Sequence, residues 1–199
     1  MRRVGRVDER PGPGQQPRVA GDLPFGDGDR LLDAEAERAY LDRLLPAATV
    51  LTPNLREAAV LVGRPLTTVA DMTEAAAELA GRGPAHVVVK GGHLDGDAVD
   101  VHHDREAGTI HELGGVRIAS PNVHGTGCSF AAAITALIAR GADPPAAIRA
   151  AKDHVHTAIA GAARWRLGAG QGPIDPLGWG DAEPAPLDPD PATTEQEQP

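Results

Sequence analysis

Apolar positions along this 199-residue chain follow two rhythms, a helical period of about 3.6 residues and short unbroken runs of β-branched residues. The helical rhythm predicts helices over Arg30 to Leu45, stopped near Pro46, over Asn54 to Val62, closed by Gly63, and over Asp71 to Ala80. In the third of these Asp71 reads as the N-cap, Glu74 as its capping-box partner and Gly81 as the stop. Two further helices follow. Thr126 to Arg140 places Phe130, Ile134, Leu137 and Ile138 on one face, and a last helix from about Pro145 aligns Ile148, Ala151, Val155, Ile159 and Ala162. Ala48 to Leu51 and His86 to Lys90 suit buried strands. Val99 to His103 with Thr109 to Leu113 reads as a hairpin, and Val116 to Ile118 as a short strand. Strands alternating with helices predict an open α/β sheet covered on both faces. Ligands in such sheets sit beyond the carboxyl ends of the strands. Attention therefore falls on the residues just after Leu51, Val89 and Ile118.

Both ends break these rhythms. Residues 1–28 hold six Gly, four Pro and five Arg without apolar periodicity, a composition that predicts disorder. Residues 29–174 form the expected folded portion, and 175–199 an acidic, Pro-rich solvated tail. The net charge of −9 is concentrated, since Leu167 to Pro199 contains seven acidic residues and no Lys or Arg. The rest carries about −2, too balanced for a phosphate-backbone binder, so no nucleic-acid partner is expected. No run reaches the roughly 18 apolar residues that span a bilayer, and no signal-peptide apolar region opens the chain. A single Cys fits a reducing compartment. The expectation is a cytoplasmic protein with no membrane partner.

Three segments carry candidate chemistry. His124-Gly125-Thr126-Gly127-Cys128 opens an amphipathic helix, where two glycines admit close backbone approach and helix-start N–H groups attract anions. That turn is either an anion hole for a developing phosphoryl charge or an ordinary glycine-rich helix start. It is not a P-loop. Cys128 lies in the first turn, where a helix dipole favours a thiolate able to accept a proton; the other reading is a buried, inert cysteine. In Thr52-Pro53-Asn54-Leu55-Arg56-Glu57, Asn54 and Glu57 have the spacing of a capping box and also the oxygen donors that suit a hydrated Mg²⁺. Val87-Val88-Val89-Lys90-Gly91-Gly92-His93 puts a lysine at a strand end, where a cation meets a nucleotide phosphate. The chain has 17 Arg and only two Lys, so Lys90 and Lys152 both stand out. The eight histidines match no zinc spacing.

Together, Leu51 to Ala58, Val89 to His93 and Asn122 to Cys128 resemble the hydroxymethylpyrimidine/phosphomethylpyrimidine kinases of thiamine biosynthesis, in order and in approximate separation. Gly28 to Asp33 and Leu167 to Pro173 are similar to the same family. The resemblance implies a ribokinase-like three-layer α/β sandwich with a mostly parallel sheet, represented by its C-terminal portion. It implies transfer of the ATP γ-phosphoryl group to a small-molecule pyrimidine and to its monophosphate, with Mg²⁺. It assigns Gly125, Thr126 and Gly127 to the anion hole and Cys128 to the base. Asn54 and Glu57 would place Mg²⁺, and Lys90 with Thr126 would meet ATP phosphates. Lys152 would lie along the nucleotide site. Cys at position 128, where many ribokinase-like sugar kinases carry Asp, points to the pyrimidine branch.

Two departures qualify this. Val123 stands where the family usually has Thr. Roughly the N-terminal half of the family's pattern, with the first strands and most of the pyrimidine pocket, has no counterpart between Met1 and Gly28. The expectation is a chain with little kinase activity of its own and an open sheet edge that favours a homo-oligomer. Two other readings stand beside the pyrimidine kinase: a non-catalytic remnant that binds nucleotide weakly, and a pyridoxal-kinase-like enzyme.

Overall fold

Two-residue alternation along β2 (Val50–Leu51) and β3 (His86–Val89) sorts the core into two halves. Val50 and Val88 point to one face, Leu51, Val87 and Val89 to the other, and all five are fully buried. In the computed structural model of the chain, residues 18–20, 34–92, 94 and 96–181 are described. Most of the expected leader and residues 182–199 of the expected tail lie outside them, as do the first residues of the predicted Arg30 helix; the tail's first residue, Asp175, is buried and accepts from the Trp179 and Gly180 N–H groups.

The main sheet has five strands in the order β1-β2-β3-β4-β5, with β1 at Val19–Ala20, β4 at Asp100–Asp104 and β5 at Thr109–Leu113. The first three strands are parallel, and β4 and β5 add antiparallel. On one face pack the turns that follow α1 (Ala34–Ala39), through Leu41 and Leu45, with α2 (Leu55–Val62) and α3 (Val69–Ala80). On the other pack α4 (Thr126–Ala139) and α5 (Pro144–Ala162), through Phe130, Ile134, Ile148 and Ala151 against Val50 and Val88. Each fully buried Val, Leu or Ile is worth about 1.5–3 kcal/mol, so the two apolar halves clamp the sheet between helices. A separate pair, β6 (Asn122–His124) and β7 (Gly172–Pro173), runs parallel.

Four local expectations change. Residues 1–28 contribute a strand where none was expected, because the Arg18 and Ala20 carbonyls accept from Thr49 and Thr52 N–H at 2.8 and 3.0 Å. The Arg30 helix appears, from Ala34, as one α-helical turn and a half that widens into a π-helical turn and closes at Pro46. The α3 N-cap is Thr68, not Asp71: the Thr68 hydroxyl accepts from Asp71 N–H at 3.1 Å. The Asp71 carboxylate accepts from the N–H groups of Thr67 and Thr68, which hold it at about 2. Glu74, the expected box partner, instead faces Arg64 at 3.4 Å. Val116 to Ile118 is no strand. Its backbone runs along the surface with Val116 exposed, and the strand in this region is β6, a few residues later.

A row of histidines crosses β3, β4 and β5 on the α5 face. His102 is fully buried, with Nε2 3.3 Å from His86 Nδ1 and its ring 5.8 Å from that of His111. Burial, followed by its two histidine neighbours, pushes its pKa down from the usual 6.5 to about 4. The unfolded chain therefore binds a proton there that the folded chain refuses, and stability is whole above about 6.5 and is lost as pH falls towards 4. Urea unfolding at pH 7 and pH 5 should show a loss on the order of 2 kcal/mol from this residue. His102→Phe should make that slope shallower.

Candidate active site

The ends of β2 and β3 are locked together. Lys90 N–H donates to the Pro53 carbonyl at 2.8 Å, and Lys90 pairs with Asn54 in a parallel bridge. This puts Asn54, Glu57 and Lys90 side by side beyond the sheet, as the sequence expects for residues after Leu51 and Val89. Asn54 caps α2: its Oδ1 accepts from Glu57 N–H at 2.9 Å, and Glu57 Oε2 accepts from Asn54 N–H at 2.7 Å. The capping-box reading is therefore correct. Glu57 is also buried, and its charge, after burial itself, raises the Tyr40 phenol to about 12.

The donor set fits a hydrated Mg²⁺ only in part. Asn54 and Glu57 offer hard oxygens, yet the sole side-chain oxygen of Asn54 and one of the two of Glu57 already accept a backbone N–H, so a cation here would keep several waters and draw its other ligands from phosphate.

The second half of the site is the turn between β6 and α4. Gly125 is the N-cap of α4 with φ of +90°, a left-handed conformation that glycine adopts freely. No side chain caps this helix start, and amides at a helix start are groups that attract anions. Cys128 is exposed on that turn, and its reading as a buried packing residue fails. Asn122 anchors the turn from below. It is buried, its Nδ2 donates to the Ala162 and Trp165 carbonyls at 2.6 and 3.1 Å, and its Oδ1 sits where a Cβ on Gly172 would fall. The turn follows β6 of the smaller sheet, and the helix it opens, α4, packs Phe130 and Ile134 with Val50 of β2 and Val88 of β3.

Lys152 lies on α5, one of the helices over the same face. Its Nζ donates to Asp100 Oδ2 at 2.7 Å and to the Ala98 carbonyl at 3.0 Å. Asp100 Oδ1 in turn accepts from Gly91 N–H at 2.9 Å. Lys152 thus joins the residue next to Lys90 through a carboxylate that sequence reasoning missed. An Asp opening a buried strand was the available signal. Arg117, also missed, donates to the carbonyls of Gly92, Leu94 and Gly96 at 2.5–2.7 Å and holds the loop after β3 from outside.

A family model described as phosphomethylpyrimidine kinase matches residues 22–175. The chain belongs to the phosphomethylpyrimidine kinase family. Within that family's reach it is 44% identical over 152 residues to a hydroxymethylpyrimidine/phosphomethylpyrimidine kinase of Streptomyces coelicolor, covering 76% of this chain and 55% of that protein. Among solved structures it resembles the pyridoxal kinase of Staphylococcus aureus in complex with AMP-PCP, with a TM-score of 0.75 and 35% identity over 85% of this chain and 61% of the other. A phosphomethylpyrimidine kinase from Clostridium difficile gives a TM-score of 0.56 at 30% identity, covering 72% and 55%. The fold is the ribokinase-like α/β arrangement, and the chain spans about half the length of the curated relatives it matches. No helix among the described residues of this phosphomethylpyrimidine kinase family member is long and apolar enough to cross a membrane.

The two glycines after Lys90 differ sharply. A Cβ on Gly91 would run into the Val99 carbonyl oxygen and sit 2.8 Å from Met72 Cε, whereas a Cβ on Gly92 meets nothing within 4 Å. Gly91→Ala should cost about 1–3 kcal/mol in urea unfolding. Gly92→Ala should leave the midpoint nearly unchanged.

Proposed function

We propose that this chain supplies the nucleotide-binding and phosphoryl-transfer portion of a cytoplasmic, ATP-dependent kinase acting on hydroxymethylpyrimidine and its monophosphate. The observation that carries the reading is the uncapped Gly125 turn with Cys128 exposed on it, in a chain 44% identical to a kinase of that name. Phosphoryl transfer asks little covalent chemistry of a protein and much positioning of charge. The amides of Thr126, Gly127 and Cys128 face the charge that grows on the transferred group. Cys128 Sγ takes the proton of the acceptor hydroxyl as its oxygen bonds to the γ-phosphorus and the bond to the ADP oxygen breaks. Lys90 neutralises the phosphates beside it. Asn54 and Glu57 hold the hydrated Mg²⁺ that accompanies ATP, and Lys152 serves the nucleotide side.

Pyridoxal is the second candidate acceptor, favoured by the higher TM-score of the pyridoxal kinase. Assays with Mg-ATP and each acceptor, in a chain with the family's N-terminal half restored, separate the two readings. Turnover of hydroxymethylpyrimidine above pyridoxal is the expected result, and the reverse order overturns the pyrimidine reading.

Two substitutions test the roles. Glu57→Gln keeps an N3 residue that completes a capping box, so stability should fall by about 1 kcal/mol or less. Mg-ATP binding by calorimetry should nevertheless weaken, and unchanged binding would remove Glu57 from the metal site. In a chain with the family's N-terminal half restored, Cys128→Ser should lower the rate of transfer to the acceptor by roughly 10²–10⁴-fold with ATP affinity almost intact. A near-normal rate would return Cys128 to a spectator role.

A further inference from the structure

The contacts of Asp100 exceed what a strand-opening residue needs. It is buried, yet it carries a formal charge, and its two oxygens serve different elements: Oδ1 takes the Gly91 N–H of the turn after β3, and Oδ2 takes the ammonium of Lys152 from α5. Lys152 also ties the far end of the same loop through the Ala98 carbonyl. Gly91 is the only residue type that fits its place, since a Cβ there would overlap the Val99 carbonyl. One carboxylate and one ammonium therefore fix both ends of the 91–98 loop against α5, directly beside Lys90. The pair is locally neutral, so it places a carboxylate next to a phosphate-facing turn without presenting net negative charge to an anion.

From this geometry we infer that Asp100 and Lys152 are positioning residues for the nucleotide phosphates, and that Lys152 acts through Asp100 and the Gly91 turn and does not itself touch the nucleotide. The inference rests on the proposed kinase reading and refines the place of Lys152 within it. It separates cleanly from direct phosphate contact by sign. If Lys152 touched phosphate, neutralising Asp100 would release it from its partner, and anion binding would hold or tighten. If Lys152 works through Asp100, neutralising either partner loosens the turn and weakens binding. Removing the lysine does more harm, because it leaves a buried, uncompensated carboxylate near the anion.

The test is calorimetric titration of Mg-ADP into the wild-type chain, Asp100→Asn, Lys152→Met and the double variant, with a thermal melt of each. Asn at 100 keeps an oxygen for Gly91 N–H, and this guards against simple unfolding. The expected result is about tenfold weaker binding for Asp100→Asn, a larger loss for Lys152→Met, and a double variant no weaker than Lys152→Met alone, because the two act as one device. Lys152→Arg, which keeps the charge, should recover most of the affinity, a rescue that generic destabilisation would not give. Binding in Asp100→Asn equal to or tighter than wild type overturns the inference, as do additive losses in the double variant. Absence of Mg-ADP binding by the wild-type chain overturns the kinase reading and the inference with it, an outcome distinct from wild-type binding that the variants leave unchanged.

Discussion

The parallel pairing of β2 with β3 is the constraint on which the rest of this structure depends. Val50 opposes His86 and Leu51 opposes Val87, so both strands present the same parity to each face and both end on the same side of the sheet. That common ending brings Pro53 and Lys90 within hydrogen-bonding distance and sets Asn54 beside Lys90. A slip of one residue would turn Val50 and Val88 away from α4 and α5 and would carry Lys90 out of reach of the α2 cap. Core and site are specified by the same register. The apolar side chains that fill the interior also decide where the lysine emerges.

Burial of charge is handled consistently around that frame. Glu57 is buried with its carboxylate engaged by the Asn54 N–H, and Asp100 is buried with both oxygens engaged. The histidine row takes the opposite course. Buried and crowded by two other imidazoles, His102 gives up its charge, which brings it down to about 4. The two buried carboxylates lie in the first turn of α2 and at the start of β4, where backbone N–H groups and Lys152 meet them, and His102 lies on β4 under α5.

Much of this was legible in the sequence, and what was not has identifiable causes. Helices α2 and α5, strands β3 and β5, and the Asn54–Glu57 box are local patterns, and local patterns survive folding. The α3 cap was misassigned because Thr68–Asp71 and Asp71–Glu74 are overlapping pairs of the same spacing. The choice rests on Arg64, which draws Glu74 and Glu78 to another element. Val116 to Ile118 has a strand-like composition, but its neighbour Arg117 is committed to carbonyls more than 20 residues upstream. The β6–β7 pair joins segments about 50 residues apart, each too short to leave a periodic trace, and β1 is shorter still. In the site, the Gly125 turn, Cys128, Asn54, Glu57 and Lys90 announce themselves by motif. Asp100 does not, because its meaning arises only when a residue 52 positions later arrives from α5.

The two halves of the site are built on different physical terms, and this bears on how they work. The Gly125 turn offers backbone amides at a helix start, oriented by the fold and by Asn122 beneath them, so its response to an anion costs little rearrangement. The Lys90 side offers a side-chain charge at the end of β3, beside a short loop, and such a charge is useful only if its surroundings are held. Beyond the Lys90–Asn54 bridge, preorganisation of the loop cannot come from the sheet ladder, since β3 ends at Val89. It has to come from side chains that reach in from elsewhere, and three do: Asp100 at Gly91, Lys152 at Ala98 and Arg117 at the carbonyls between. The positions of the two segments are therefore coupled through the α4–α5 layer, which packs on β2 and β3 and carries both the Gly125 turn and Lys152. A shift of α5 relative to the sheet would move the two halves of the site together.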